Sequence, residues 1–277
     1  MIYKILIATD FSKNATHARN YGLNLANTLK ADVIIFNAYE IPISSMGTHT
    51  FRNYKEVFKK NSINKLAEEI KEAKSLFKNI NISFEYVCDI SKNAILERSN
   101  KADIDLILLG SKGESKISEK LFGGTCSKVI NKTKKPLIIV PIQAEIKIPK
   151  KIVLATDLFL NVDLITTLKK IAKRLISNID IITVLNSKDD EKSILSRQLK
   201  VNTILEKKMK YNSHRFHLIN NNSIENGILN YIKENKVHLL TLIPKHRSFW
   251  ENLIKISLSK KIANNSTIPL LIIPENI

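Results

Sequence analysis

Glycine is scarce in this 277-residue chain, yet four of its seven glycines lie between Gly110 and Thr125. Gly110 ends an apolar run, Gly113 follows in a short turn, and Gly123 and Gly124 precede a predicted helix. Glycine lets the backbone approach a ligand closely, and the unpaired N–H groups at a helix start attract anions. One Gly-x-x-Gly pair is typical of an ordinary turn, but two bracketing pairs favour a phosphate-binding loop.

Other phosphate and catalytic motifs are missing from the sequence. It contains no Gly-x4-Gly-Lys-Ser/Thr, which excludes a P-loop, and no Gly-x-Gly-x-x-Gly follows the first predicted strand, which disfavours a dinucleotide site. No Ser-His-Asp or Cys-His set is placed for nucleophilic catalysis. We therefore expect a binding protein rather than an enzyme.

The loop is carried by one copy of an internal repeat. Residues 2–10 and 150–157 are apolar runs that both end in Ala-Thr-Asp. Residues 105–141 match residues 238–274 without a gap, and both segments close with Pro, four apolar residues and Pro. Self-similarity over half the length predicts two copies of one folding unit.

Each copy alternates apolar strands with helical segments, the pattern of a doubly wound parallel α/β sheet. In the first copy the pattern predicts strands at 2–9, 33–39, 81–87, 105–110 and 137–141, and helices at 12–29, about 54–78, 91–101 and 124–134. Ser12 is the predicted N-cap of the first helix. We expect two Rossmann-like, five-stranded domains, at 1–143 and 149–277, with the linker within 142–150.

These motifs resemble those of the universal stress protein family in its tandem, two-domain form. The family's ATP signature, Gly-x2-Gly-x9-Gly-Ser/Thr, is similar to the spacing of Gly110, Gly113 and Gly123. The opening Ala-Thr-Asp-Phe-Ser (8–12) and the closing Lys-Lys-Pro-Leu-Ile-Ile-Val-Pro (134–141) are also similar. The resemblance covers nearly the whole chain. It implies a cytoplasmic stress-response protein that binds ATP, with ADP and AMP as other candidate ligands and magnesium held through the nucleotide.

The resemblance also implies a set of nucleotide-binding residues. Asp10 would lie beside the ribose, the backbone at Ala8 and Thr9 would border the adenine, and Ala38 would help to hold the base. The phosphates would be wrapped by Gly110, Ser111, Lys112, Gly113, Gly123, Gly124 and Thr125. It implies no catalytic residue, no protein-ligated metal and at most slow ATP hydrolysis.

One departure from the family pattern affects the phosphate loop. The family has a hydroxyl residue directly after its third glycine, where this chain has Gly124, and the hydroxyl comes one place later on Thr125. Losing one charge-assisted hydrogen bond costs about 1.5–3 kcal/mol, so weaker binding is expected rather than none. The alternative is a non-enzymatic interaction or dimerisation module whose nucleotide site is vestigial.

The second copy is expected to have lost the site. Ile243, His246 and Ile256 stand opposite the first three glycines of the loop, and Pro244 removes an N–H donor. The strand and helix pattern persists, so the fold is predicted to survive without the site. The sequence therefore predicts one bound nucleotide per chain.

Composition limits the partners. The net charge is +18, but the lysines are scattered and no aromatic residues interleave with them, which is typical of composition bias and disfavours nucleic-acid binding. No apolar run is long enough to span a membrane. The two cysteines form no CxxC, which suits a reducing cytoplasm; a buried packing role is preferred for Cys126 over a redox role. From the family we expect a homo-oligomer or an intramolecular pseudo-dimer of the two domains, and an unidentified protein partner.

Overall fold

A computed structural model describes residues 4–41, 48–112, 124–156, 162–185, 191–203, 214–243 and 268–274. The chain divides into two compact units, Met1–Ile142 and Gln143–Ile277. Each unit contains a parallel sheet, and the predicted α/β architecture with tandem units is confirmed. No helix in the described ranges is both long enough and apolar enough to cross a membrane.

The first unit alternates strands and helices along the chain. Its elements are β1 (Lys4–Ala8), α1 (Lys13–Leu29), β2 (Asp32–Tyr39), α2 (Thr48–Leu76), β3 (Ile82–Cys88), α3 (Ser91–Ser99), β4 (Leu106–Gly110), α4 (Gly124–Lys132) and β5 (Leu137–Val140). All strand pairs are parallel, in the order β3-β2-β1-β4-β5. The chain therefore winds outward in both directions from β1, which creates a switch point between β1 and β4.

The centre of this sheet is fully apolar. Strand β1 pairs with β4 through Ile5↔Leu106, Leu6↔Ile107 and Ile7↔Leu108, and all six side chains are completely buried. Strands covered by helices on both faces need apolar residues at every position, which explains the continuous rather than alternating hydrophobic pattern. The register brings the ends of β1 and β4 to the same edge.

Local signals define the ends of α1. Ser12 is the N-cap as predicted, and its hydroxyl accepts a hydrogen bond from the Ala15 N–H at 3.2 Å. The helix ends at Lys30, which adopts left-handed backbone angles (φ 52°) and donates its N–H to the Ala26 carbonyl. Such an ending usually uses glycine, so the sequence alone gives no sign of it.

The prediction for α2 was wrong at its start. The sequence predicted a helix at about 54–78, whereas α2 spans Thr48–Leu76. No glycine or proline follows Gly47 until the helix has ended, so the helical segment can extend toward the N-terminus. Two other helices end two residues earlier than predicted, at Ser99 and Lys132.

The second unit repeats the arrangement. Its elements are β6 (Lys151–Ala155), α5 (Val162–Leu175), β7 (Asn178–Leu185), α6 (Glu191–Thr203), β8 (His214–Asn220), α7 (Ile224–Glu234), β9 (Leu239–Leu242) and β10 (Leu270–Ile272). The described strands pair in parallel in the order β10-β9-β6-β7-β8. Strand β6 takes the place of β1, and β9 takes the place of β4.

Two buried threonines in the second unit should respond in opposite ways to the same substitution. The Thr241 side chain is fully buried, and its hydroxyl has no hydrogen-bond partner among the described residues. Thr241→Val should raise the free energy of unfolding by about 1 kcal/mol, because valine keeps the shape and removes an unpaired hydroxyl.

Thr183→Val is the matched control, since the Thr183 hydroxyl donates to the Thr156 carbonyl at 2.9 Å. In this variant the free energy of unfolding should fall by about 1 kcal/mol. Urea unfolding followed by circular dichroism measures both changes. If both variants change the free energy of unfolding in the same direction, the contrast between an unpaired Thr241 hydroxyl and a bonded Thr183 hydroxyl is contradicted.

Candidate functional site

A cavity of about 230 Å³ opens where β1, β2 and β4 end in the first unit. Eight residues of the predicted nucleotide-binding set line it: Ala8, Thr9, Asp10, Ala38, Gly110, Lys112, Gly124 and Thr125. They come from four separate segments of the chain. The parallel order of the strands brings them together, because the carboxyl ends of parallel strands lie at one edge of the sheet.

One further predicted residue, Ser111, does not line the cavity. Ser111 is buried beside the cavity, where its hydroxyl accepts from the Asn14 side-chain amide at 3.1 Å and its N–H donates to the Val140 carbonyl at 3.0 Å. Gly113 and Gly123 lie outside the described residues. Ser111 therefore holds the end of β4 in place rather than facing the cavity.

Six lining residues were missed by the sequence analysis: Ala15, Phe36, Ser91, Ile95, Leu109 and Cys126. Two of them, Ser91 and Ile95, belong to α3, and the Ser91 hydroxyl donates to the Ala38 carbonyl at 3.3 Å. Ser91 was detectable in principle as a hydroxyl residue between a strand and a helix. The apolar members carry no sequence signal, because they look like any other core residue.

The turn after β1 is held in a fixed shape by its own hydrogen bonds. The Thr9 hydroxyl accepts from the Phe11 N–H at 3.0 Å, and the Asp10 carboxylate accepts from the Ser12 N–H at 3.1 Å. Phe11 adopts a left-handed backbone with φ 64°, a strained conformation for a bulky residue. Asp10 is exposed at the mouth of the cavity as a result.

The two described loop glycines have different surroundings. A Cβ on Gly110 would lie 3.1 Å from the Asn14 backbone carbonyl oxygen, so a side chain here would press β4 away from α1, whereas glycine lets them lie this close. A Cβ on Gly124 would meet no atom of the described residues within 4 Å. Within that part of the chain the start of α4 is therefore open, and helix N–H groups there favour negative charge.

Cys126 lies behind this segment. Its thiol is buried, as predicted, and its sulfur donates to the Gly110 carbonyl at 2.9 Å. Burial raises the pKa of the Cys126 thiol to about 12, and the nearby Asp10 carboxylate adds to the shift. Desolvation thus outweighs any lowering of the pKa by the helix terminus.

The second unit keeps part of this framework and changes the rest. Thr156 takes the place of Thr9, and its N–H donates to Ile182 as that of Thr9 donates to Phe36. Ile243, the residue opposite Gly110, is buried with 9% of its surface exposed. The other positions predicted to block this site, including Pro244, His246 and Ile256, lie outside the described residues.

Comparison with known proteins defines the family. A model of the Universal stress protein family matches residues 1–141. Universal stress protein MJ0577 of Methanocaldococcus jannaschii is 29% identical over 158 residues, an alignment that covers 50% of this chain and 95% of that protein. The chain belongs to the universal stress protein family, and the resemblance seen in its motifs is confirmed.

Solved structures extend the similarity of fold to the whole chain. A universal stress protein from Archaeoglobus fulgidus superposes with a TM-score of 0.69 at 16% identity, and the match covers 97% of each chain. A putative universal stress protein from Pseudomonas aeruginosa gives a TM-score of 0.63 at 11% identity, covering 99% of this chain and 94% of that one. Both matches support the tandem arrangement.

The two cysteines should differ sharply in reactivity. Cys88 is exposed at the end of β3, whereas the Cys126 thiol is buried and its pKa is raised, so it holds very little thiolate near pH 8. Alkylation of the folded protein with iodoacetamide at pH 8, followed by peptide mass spectrometry, should modify Cys88 at least about tenfold faster. Unfolding in urea should remove the difference, and equal rates in the folded protein would contradict the burial of Cys126.

Proposed function

We propose that the first unit binds one ATP molecule as a regulatory ligand in a cytoplasmic stress response. The observation that carries the proposal is the cavity at the switch point of the first sheet, lined by eight residues of the predicted nucleotide set. Membership of the universal stress protein family supports it independently.

The cavity suits the nucleoside part of the ligand. Its inner walls are apolar and come from Ala8, Phe36, Ala38, Ile95 and Leu109, which suits a flat base. A volume of about 230 Å³ is below the usual range of about 300–1,000 Å³ for pockets that enclose a whole ligand. The phosphates would therefore extend out of the cavity along the loop.

The mouth of the cavity offers groups that suit ribose and phosphates. The exposed Asp10 carboxylate can accept hydrogen bonds from ribose hydroxyls, and Lys112 adds a positive charge. Backbone N–H groups at Gly124 and Thr125 would donate to phosphate oxygens without any side chain. Magnesium would reach the site with the phosphates, and the Asp10 carboxylate is an oxygen ligand of the kind it prefers.

A regulatory role fits this lining better than catalysis does. Hydrolysis of ATP requires a group that positions the attacking water and charges that stabilise the transferred phosphoryl group. Among the described lining residues the carboxylate is that of Asp10, which the proposal assigns to the ribose and magnesium rather than to an attacking water. We therefore expect at most slow hydrolysis, with ADP or AMP able to occupy the same cavity.

The proposal includes a cytoplasmic location and a protein partner that responds to the nucleotide. The free state of both cysteines, Cys88 and Cys126, agrees with a reducing compartment. Association as a homo-oligomer or as a pseudo-dimer of the two units remains a prediction.

Native mass spectrometry of the purified chain, before and after addition of magnesium-ATP, tests the proposal directly. We expect one nucleotide per chain, and the same spectrum gives the number of chains in the assembly. Gly110→Ile copies the residue that the second unit has at this position, Ile243, and should abolish binding while the fold persists. Two bound nucleotides would refute the single site. None would favour the alternative of an interaction module with a vestigial site.

The missing hydroxyl can be restored to the phosphate loop. Gly124→Ser should tighten ATP binding by about tenfold or more relative to Gly124→Ala, because serine adds a hydrogen bond to a charged phosphate. Among the described residues, no atom lies within 4 Å of the Cβ position that both variants add. Gly124→Ala is the matched control for the added Cβ and the lost backbone freedom.

Isothermal titration calorimetry of the two Gly124 variants gives the comparison. If the Gly124→Ser variant binds ATP no more tightly than the Gly124→Ala variant, the phosphates do not pass this residue. The placement of the nucleotide along α4 would then be wrong.

A further inference from the structure

One face of α2 contacts the turn that follows β1. The contacts come from Ser62, Lys65 and Glu69, which are spaced three and four residues apart and so share one side of the helix. They reach Thr9, directly or through Asn37, and the Phe11 ring. None of the three α2 residues lines the cavity, so α2 lies one layer behind the candidate site.

The first connection is a buried relay of two hydrogen bonds. The Ser62 hydroxyl donates to the Asn37 side-chain oxygen at 2.7 Å, and the Asn37 amide donates to the Thr9 carbonyl at 2.8 Å. Ser62 and Asn37 each expose only 4% of their surface. The relay therefore joins α2 to the cavity wall through buried hydrogen bonds.

The second connection is electrostatic and runs through Glu69. Its carboxylate lies near the Thr9 hydroxyl, which favours the charged form, and 3.5 Å from the Arg19 guanidinium, which is 1% exposed. Burial raises the pKa of the Glu69 carboxyl, although Arg19 and the Thr9 hydroxyl oppose that change. Arg19 is held in turn by Glu72 of α2 at 2.7 Å.

A third contact involves the strained residue of the turn. The Lys65 ammonium lies 5.3 Å from the centroid of the Phe11 ring, within the range of a cation–π interaction. Together the three contacts hold Thr9 and Phe11, the two residues on either side of Asp10. A shift of α2 would therefore move the residues that border the proposed base and ribose.

These connections have an all-or-none character. A buried polar group that loses its partner costs about 1–3 kcal/mol, so a small displacement of α2 would leave several groups unpaired at once. Such a network favours two discrete arrangements over a continuous range.

We propose that α2 responds to occupancy of the nucleotide site, with Ser62 and Glu69 acting as positioning residues through Asn37 and Thr9. This inference rests on the proposed function. Nucleotide binding should order α2, and by thermodynamic reciprocity an ordered α2 should raise nucleotide affinity by the same factor.

The second unit offers a natural contrast. Thr183 occupies the position of Asn37, and its hydroxyl donates to the Thr156 carbonyl at 2.9 Å, so the bond to the strand end is conserved between the units. Threonine has no second polar side-chain atom to continue a relay toward a helix. Asn37→Thr therefore keeps the local bond in the first unit and removes the connection to Ser62.

Hydrogen–deuterium exchange of α2 peptides covering residues 58–72, with and without magnesium-ATP, tests the coupling. In the natural chain, ATP should slow exchange by about fivefold or more. Asn37→Thr should lose much of this slowing although it still binds ATP. Ser75→Ala is the matched control and should respond like the natural chain. Its hydroxyl is exposed and donates to the Glu72 carbonyl within its own helix, with no other partner among the described residues.

Measurements of ATP affinity distinguish a positioning role of these residues from an effect on the stability of the fold alone. Ser62→Ala and Glu69→Ala should weaken ATP binding by about 5- to 30-fold, whereas Ser75→Ala should leave it unchanged. Glu69→Gln should recover most of the affinity lost in Glu69→Ala, since glutamine keeps the length of the side chain and a polar group beside Thr9. Urea unfolding without ATP shows whether each variant is folded; Asn37→Thr, which copies the second unit, is the variant most compatible with folding.

The outcomes distinguish the two proposals. If ATP binds but α2 exchange does not change, or if Ser62→Ala and Glu69→Ala bind as tightly as Ser75→Ala, the coupling is refuted and the proposed function stands. If ATP does not bind the natural chain in native mass spectrometry, the proposed function and the coupling both fail.

Discussion

The parallel pairing of β1 with β4 is the constraint on which the rest of the first unit depends. It joins segments about a hundred residues apart through three consecutive, completely buried residue pairs. Because the chain continues from β1 to one side and from β4 to the other, the loops after these strands diverge and leave a cleft. Thr9, Asp10 and Gly110 meet there as a consequence of strand order. The cavity is thus a property of the topology, and the local residues decide only what it can bind.

The sequence predicted the strands and most of the cavity because both leave strong local signals. Buried parallel strands are continuous apolar runs, and residues at their carboxyl ends must meet at one edge. The start of α2 and the contacts of Ser62, Asn37 and Glu69 could not be predicted in this way. A polar residue in a helix looks solvent-facing until tertiary packing supplies its partner. The part of the cavity wall that α3 forms was not predicted for the same reason. In the sequence, Ile95 looks like any apolar residue that packs its own helix against the core.

The two units show how a scaffold and a site can separate. Both keep the strand order and the hydrogen bond to the strand-end carbonyl, made by Asn37 in one unit and Thr183 in the other. The glycine that lets β4 end close to α1 is replaced by Ile243 in the second unit. Apolar strands maintain the fold in both copies, whereas the glycine that permits a close backbone approach remains only in the first.

The buried Arg19 has a consequence for how a chain with two similar halves folds correctly. Counting back from the left-handed residue that follows each helix, Lys30 after α1 and Ile176 after α5, Arg19 corresponds to Ile165. If α1 docked on the wrong sheet during synthesis, its guanidinium would be buried without Glu69 and Glu72, at a cost of about 3–5 kcal/mol. One charged side chain at an otherwise apolar helix position therefore disfavours exchange of helices between the repeats.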